Sequence, residues 1–335
     1  MVEKKISITD VARRAKVSIT TVSRVLNKVP TVNKEVAQRV QQVITELKFK
    51  PNPTAQRLAR GIENTAIGFV MPGYPGIFHS FYAVELIRGI GHGCETLRLD
   101  LIFHITDGTN PLRSSYAGGL IFADIIENRT QVESAIREAT PCLVLNHIVK
   151  DLEVSYIAVD NVKGGFTAAE YLVNLGHKRI ATITGNMQTQ AGIDRFEGFQ
   201  NALAAHGIDC PPDYVYKGDY SRRSARLASE RFFSLDNPPT AIFAASDDMA
   251  LEIISVAMEN GIKVPEDISI IGFDDNPAGL FGPVGLTTIK QPLFSMGEEA
   301  TKVIYEIMTG KQKGVVHKVF APDLIVRESC AHPSS

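Results

Sequence analysis

The chain has 335 residues, 44% hydrophobic and 21% charged, with a mean hydropathy of +0.01, a balance ordinary for two or three folded domains. No run approaches the ~18 consecutive apolar residues of a membrane helix, and Met-Val-Glu-Lys-Lys-Ile-Ser lacks the apolar core of a signal peptide, so a cytoplasmic chain with no membrane partner is expected. The net charge of -2 hides an asymmetry: residues 1 to 60 hold 13 Lys and Arg against 4 Asp and Glu, whereas the remainder holds 22 against 33.

Such a division suggests a polyanion-binding head on an acidic body, although a solvated basic tail would carry the same charge. Cys94, Cys142, Cys210 and Cys330 lie far apart without CxxC or Cys/His spacing, so apolar thiols are expected, with no disulfide framework and no zinc.

In the head, Ile8, Val11, Ala12 and Ala15 form one apolar helical stripe, and Ser7 with Asp10 three residues on resembles a capping box. After a short connection Ser18 can cap a second helix that buries Val22, Val25 and Leu26. A third helix, capped by Asn33, turns Val36, Val40, Val43, Ile44 and Leu47 inward and stops at Pro51. The first two make a helix-turn-helix, whose second helix enters the major groove of DNA. Its outward side offers Ile19, Thr20, Thr21, Ser23, Arg24 and Asn27. Arg24 can fork onto guanine, Thr20 can bond a base edge or phosphate, and Ile19 can press on a thymine methyl. The same residues would also serve as a plain solvated helix surface.

Residues 51 to 61 place Asn52 before Pro53 and Gly61 just past a two-turn segment, the start and stop signals of a short helix. Alone in water it should be mostly unfolded. Leu58, between Arg57 and Arg60, suits a wedge in a minor groove with arginines on phosphates; packing on the body as an interdomain linker is the alternative.

From residue 66, apolar strand-like runs recur at 66 to 70, 101 to 103, 119 to 122, 142 to 145, 180 to 183, 241 to 244 and 268 to 271. Amphipathic stretches such as 82 to 97, 162 to 175, 194 to 206, 221 to 233 and 247 to 260 lie between most of them. Alternation of this kind implies parallel sheets with helices on both faces. About 270 residues exceed what one such sheet usually needs, so two doubly wound lobes are expected, with ligand at the strand carboxyl ends between them.

These residues resemble the LacI/GalR family of bacterial transcriptional regulators. The head agrees over Ile8 to Ala12, Val17 to Asn27 and Pro51 to Gly61. The body agrees at Leu175 to Ile180, Arg195 to Phe199, Ala245 to Leu251, Val264 to Asp275, Leu286 to Pro292 and Leu324 to Ser329, nearly the whole chain in family order. The resemblance implies an all-α helix-turn-helix domain over 1 to 50, a hinge helix over 51 to 63, and an α/β two-lobed, periplasmic-binding-protein-like body over 64 to 335. Lobe 1 would span 64 to 160 plus 292 to 321, and lobe 2 161 to 291 plus 322 to 335, exchanging strands near Asp160, Gln291 and Pro322.

Function follows as an expectation: a homodimer that binds a palindromic operator and is controlled by a small metabolite, most simply a sugar. Ala55 and Leu58 of the hinge segment would join the DNA contacts. Carried over residue by residue, the cleft would hold Arg195 and Asp274 as charged partners of ligand hydroxyls, Tyr220 as a stacking face, and Ser246 and Asn146 at neighbouring strand ends. An internal ion pair for Arg195 and Asp274, and a core role for Tyr220, are the alternatives. His177 is read as structural.

Two departures stand out. Between Asp107 and Gly118 ten residues replace a full covering helix, and the loop from Pro72 to Phe81, with His79, is longer than usual. Asn146 also stands where the family often has aspartate. Competing functions fare less well. G-x-S-x-G, H-E-x-x-H and P-loop patterns are absent, so no enzyme and no cofactor are expected, and Asp247-Asp248 and Asp274-Asp275 fit strand ends and helix caps better than a metal. A nucleoside or purine effector, or an architectural DNA-binding role without effector, remains as an alternative. A C-terminal leucine heptad is missing, which favours a dimer over a tetramer built on such a tail.

Overall fold

The structure, a computed structural model, describes residues 7–26, 32–47, 49, 66–73, 77–108, 110, 112, 117–123 and 128–334. Asn27, Ala55, Leu58 and the whole 51 to 61 segment lie outside the described residues.

Local chemistry bounds the head's helices. In α1 (Ile8–Ala15) the Ser7 side chain accepts from the Asp10 amide while Asp10 accepts from the Ser7 amide at 2.9 Å, and Lys16 ends the helix in the left-handed conformation. The Thr21 amide donates to Ser18 at the start of α2 (Ile19–Leu26), and the Glu35 amide to Asn33 at the start of α3 (Lys34–Glu46). Val11, Ala12, Ala15, Val22, Val40, Val43 and Ile44 bury together as one small core, with Val25, Leu26 and Val36 packed at its edge. Burying these side chains is what holds helices too short to persist alone.

The body contains two six-stranded sheets with the same strand order. Lobe 1 joins β1 (Ala66–Pro72), β2 (Asp100–Thr106), β3 (Gly119–Phe122), β4 (Cys142–Leu145), β5 (Ser155–Val159) and β11 (His317–Phe320) in the order β11-β5-β4-β3-β1-β2. Lobe 2 repeats it with β6 (Ile180–Ile183), β7 (Val215–Tyr216), β8 (Ala241–Ala244), β9 (Ser269–Asp274), β10 (Thr287–Lys290) and β12 (Asp323–Ile325), in the order β12-β10-β9-β8-β6-β7. Both are doubly wound, with the strand order reversing between β1 and β3 and between β6 and β8. Helices α4 (Phe81–Leu97), α5 (Arg129–Arg137) and α10 (Leu293–Met308) belong to lobe 1. Those of lobe 2 are α6 (Asn161–Asn174), α7 (Gln190–Ala205), α8 (Arg222–Phe233) and α9 (Asp247–Glu259). The central strands are buried throughout, as apolar runs covered on both faces must be.

The chain passes between lobes three times, at Asp160, at Gln291-Pro292 and at Ala321-Pro322. The two expected doubly wound parallel sheets are present, with one edge strand reversed: β12 pairs antiparallel with β10. The reason is topological. The first two crossings enter a helix, which carries the chain back to the amino edge of the next strand, whereas β11 runs directly into β12. A strand that enters from the carboxyl edge without a helix must run the other way.

Along β2, the edge strand of lobe 1, Phe103 and Ile105 remain exposed. The Pro72 to Phe81 connection carries a turn of 3-10 helix at Ile77–His79, with Ile77 buried and Phe78 exposed.

Candidate functional site

On α2, Ile19, Thr20 and Arg24 are exposed, while Thr21 and Ser23 are half-buried. The Thr21 hydroxyl lies 2.9 Å from that of Ser18, so it serves the cap as well as the surface. Thus Ile19, Thr20 and Arg24 form the accessible side, opposite buried Val22.

The candidate cleft is built at the carboxyl ends of lobe 2. Arg195 projects from α7 and is buried; its Nε donates to Asn161 Oδ1 at 2.9 Å and its Nη1 to the Ala245 carbonyl at 2.6 Å. The guanidinium carbon lies 3.7 Å from the Phe273 ring centre, and that ring is in turn pressed onto α6 where Gly164 leaves room. Nη1 also approaches Asp274 at 3.8 Å. The internal ion pair is therefore present, and it stands in the cleft. Gln291, on the second crossing, donates from Nε2 to Asp274 Oδ1 at 2.6 Å, which leaves its own Oε1 buried without a protein partner.

Tyr220 is half-buried at a positive φ of 69°; its ring lies over the bare backbone of Gly185, 6.0 Å from Arg195, with its hydroxyl 3.5 Å from that of Thr189. Ser246 caps α9 by accepting from the Met249 amide. Across the cleft, Asn146 ends β4 with φ at 55° and a buried Oδ1 that has no protein partner. The structure thus brings Arg195, Asp274, Tyr220 and the Ala245-Ser246 strand end together, while Asn146 belongs to the opposite lobe. Away from the crossings the Ile148 amide donates to Gln190 Oε1 at 2.7 Å, tying a loop of lobe 1 to the start of α7.

Burial dominates the electrostatics. It holds the Asp274 carboxyl above the usual carboxylate range against the pull of Arg195 and Gln291. Asp247, fully buried, is pushed up by burial and by the charge of Asp274. Asp248 is raised by burial as well. Asp275 is held by Arg327 at 2.5 Å and Lys290 at 3.6 Å. Each of these aspartates is engaged by protein donors: Asp247 by Thr288 and the Asn276 amide, Asp248 by the Asn276 side chain. His177 bridges Thr240, Ser269 and the Ala331 carbonyl, an internal tie of lobe 2.

Asn161, Phe273 and Gln291 were not expected among the site residues. The one available signal was position: Asn161 and Gln291 flank two crossings, and polar side chains that tertiary structure buries there must find partners. Chemically, an accepting carboxylate, a donating guanidinium and an aromatic face in one place suit a polyhydroxylated molecule. No helix among the described residues is long and apolar enough to cross a membrane.

Residues 7–52 match the family described as "Bacterial regulatory proteins, lacI family", and residues 169–330 match "Periplasmic binding protein-like domain". The HTH-type transcriptional regulator DegA of Bacillus subtilis is 33% identical, covering 97% of this chain and 98% of its own. Among solved structures, the regulator CelR in complex with cellobiose superposes with a TM-score of 0.73 at 26% identity, covering 97% of this chain and 99% of its own. The lac repressor dimer bound to operator and the anti-inducer ONPF gives 0.69 at 25% identity, over 98% of this chain and 100% of its own.

Proposed function

Because the chain belongs to the LacI family of bacterial regulatory proteins, we propose that it is a cytoplasmic repressor, a homodimer that reads a palindromic operator and is controlled by a sugar held between its lobes. The chain is a DNA-binding transcriptional regulator and not an enzyme, as its relatives are regulators. The observation that carries the finer reading is the meeting of Arg195, Asp274 and Tyr220 at strand ends of a body that shares its chain with a capped helix-turn-helix.

In this reading Ile19, Thr20 and Arg24 take base edges, and Thr21, Ser23 and Asn27 take backbone or flanking contacts. Ala55 and Leu58 belong to a segment that folds and pairs on the operator. A ligand between the lobes holds one relative orientation, and DNA affinity changes by the ligand's differential preference for the two states. The cellobiose named with CelR supports a sugar as effector, with Asp274 and Arg195 taking hydroxyls, Tyr220 packing a C-H face, and Ser246 and Asn146 completing the set. The dimer named for the lac repressor supports self-association. So does the apolar surface left on lobe 2, where Met258 and Leu280 are each 56% exposed and Phe281 85%.

The test is selection of bound sequences from a random duplex library, repeated with sugars and nucleosides present. A palindrome of about 14 to 20 base pairs whose recovery changes with one sugar supports the reading. Response to a nucleoside alone would change the effector class. Absence of any sequence preference would leave an architectural protein bound through charge.

A further inference from the structure

We propose that Asp247 is a positioning residue for effector recognition: it fixes the turn that presents the Asp274 carboxylate to the cleft. The inference rests on the reading of Asp274 as an effector partner and extends it to a residue that no ligand would touch.

The turn is unusual. Asp274 and Asp275 follow one another at φ of 126° and 59°, conformations that favour glycine, yet both carry side chains. Such a backbone persists only when its surroundings over-determine it. Asp247, the first residue of α9, supplies much of that determination. Its Oδ2 accepts from the Asn276 amide at 2.7 Å, just past the turn, and its Oδ1 accepts from the Thr288 hydroxyl at 2.6 Å on β10. Its own backbone N–H lies near the Asp274 carboxylate and favours its charged form. The carboxyl group sits against the bare backbone of Gly272 in β9, where a side chain would lie 3.2 Å from Asp247 Cγ. One buried side chain thus ties α9, β9, β10 and the turn. Neighbouring Asp248 adds a 3.2 Å contact from the Asn276 side chain, while Arg195 and Gln291 face Asp274 from α7 and the second crossing, and Thr288 faces Asp247 from β10.

Asp247→Ala removes the acceptor of the Asn276 amide. Asp247→Asn can keep both bonds, because an amide oxygen accepts from Asn276 and its N–H donates to the Thr288 hydroxyl. The experiment measures amide hydrogen exchange over residues 272 to 277 of the full-length chain without ligand, then calorimetric binding of cellobiose, galactose, ribose and adenosine. Expected are exchange about tenfold or more faster at Asn276 in Asp247→Ala, binding of the responding probe weakened about 30-fold, and recovery of both in Asp247→Asn. Should Asp247→Ala fail to fold, Thr288→Val loosens the same anchor and must move exchange in the same direction. Unchanged exchange in the folded variant would overturn the proposal, as would unchanged probe affinity. If exchange responds as expected but no probe binds the wild-type chain, the sugar reading of the cleft fails on these probes while the anchoring of the turn stands.

Discussion

Gly198→Ala should destabilise lobe 2 and loosen Arg195, although glycine is ordinarily a poor helix former. Helices α6 and α7 pack backbone to backbone. A Cβ at Gly198 would lie 2.7 Å from the Phe166 nitrogen and 2.9 Å from the Val162 carbonyl carbon. On the facing helix a Cβ at Gly165 would lie 2.8 Å from the Arg195 carbonyl carbon. Carbon contacts relax near ~3.5 Å, so alanine forces the helices apart by roughly 1 Å. Overpacking costs about 1 to 3 kcal/mol; because the atoms met are backbone and cannot rotate aside, the upper part of that range, about 2 to 3, applies, and the helix preference of alanine over glycine returns about 1. The net loss is about 1 to 2 kcal/mol, or roughly 2 to 8 °C in Tm for a unit of this size. The same displacement falls on the bond from Arg195 Nε to Asn161 Oδ1, which spans these two helices at 2.9 Å. Thermal unfolding of the full chain reads the first effect and effector affinity the second. An unchanged or raised Tm would refute the argument that backbone contact, and not helix propensity, placed glycine there.

Asp247 and Asp274 are both raised by burial, so the folded chain holds their protons more tightly than the unfolded chain. Their contribution to stability is complete in acid and is lost as pH rises through the folded values; urea midpoints of wild type and Asp247→Asn should diverge from pH 5 to 9, with the wild type falling relative to the variant. Asp194 is raised to about 6 by burial and by Glu197, against Lys150 and together with Asp160, so its contribution likewise fades as pH climbs through 6, an effect that Asp194→Asn removes from the same titration. Ser7→Ala deletes the capping box of α1 and should cost about 1 kcal/mol, seen as faster amide exchange at Val11 and Val22 with exchange in the body unaltered. Replacing Leu280 and Phe281 by serine should shift sedimentation toward monomer; an intact dimer would move the interface to another face, with exposed Phe103 and Ile105 of β2 the next apolar surface.

Much of this architecture was readable in the residues because its core elements bury apolar groups on a regular period. The helices of the head announce themselves by caps and stripes, and β1, β3, β4, β6, β8 and β9 are central strands whose two covered faces demand continuous apolar runs. Most strands that did not announce themselves lie at edges, while β5 and β10 are central but short, their apolar runs broken by Ser155 and Tyr156 or by Thr287 and Thr288. β7 has two residues, β11 and β12 are half-exposed edges, and β10 is Thr287-Thr288-Ile289-Lys290. Its threonines look polar in sequence yet are buried, because Thr287 accepts from the Arg327 amide and Thr288 donates to Asp247. Arg195 and Asp274 stood out by family pattern. Phe273 and Gln291 acquire their roles only when β9 and the second crossing meet α7, a tertiary event that no local period encodes.

The placement of Gln291 links the two halves of the body's design. Two lobes with the same strand order face one another with their carboxyl ends, and every covalent connection between them passes beside that face, because strands that end there are the ones from which the chain can cross. Gln291 is both crossing and site: its backbone carbonyl accepts from the Leu293 amide at 2.9 Å as α10 of lobe 1 begins, while its side chain holds Asp274 of lobe 2 at 2.6 Å. Asp160 does the same at the first crossing, with its backbone amide bonded to the Phe320 carbonyl of lobe 1 and its side chain capping α6 of lobe 2 at the Lys163 amide. A ligand held by Asp274 would therefore act directly on a segment that joins the two lobes. If Asp274 holds the effector as proposed, coupling would need no long chain of intermediaries, since the proposed binding residues and the crossing occupy the same few positions.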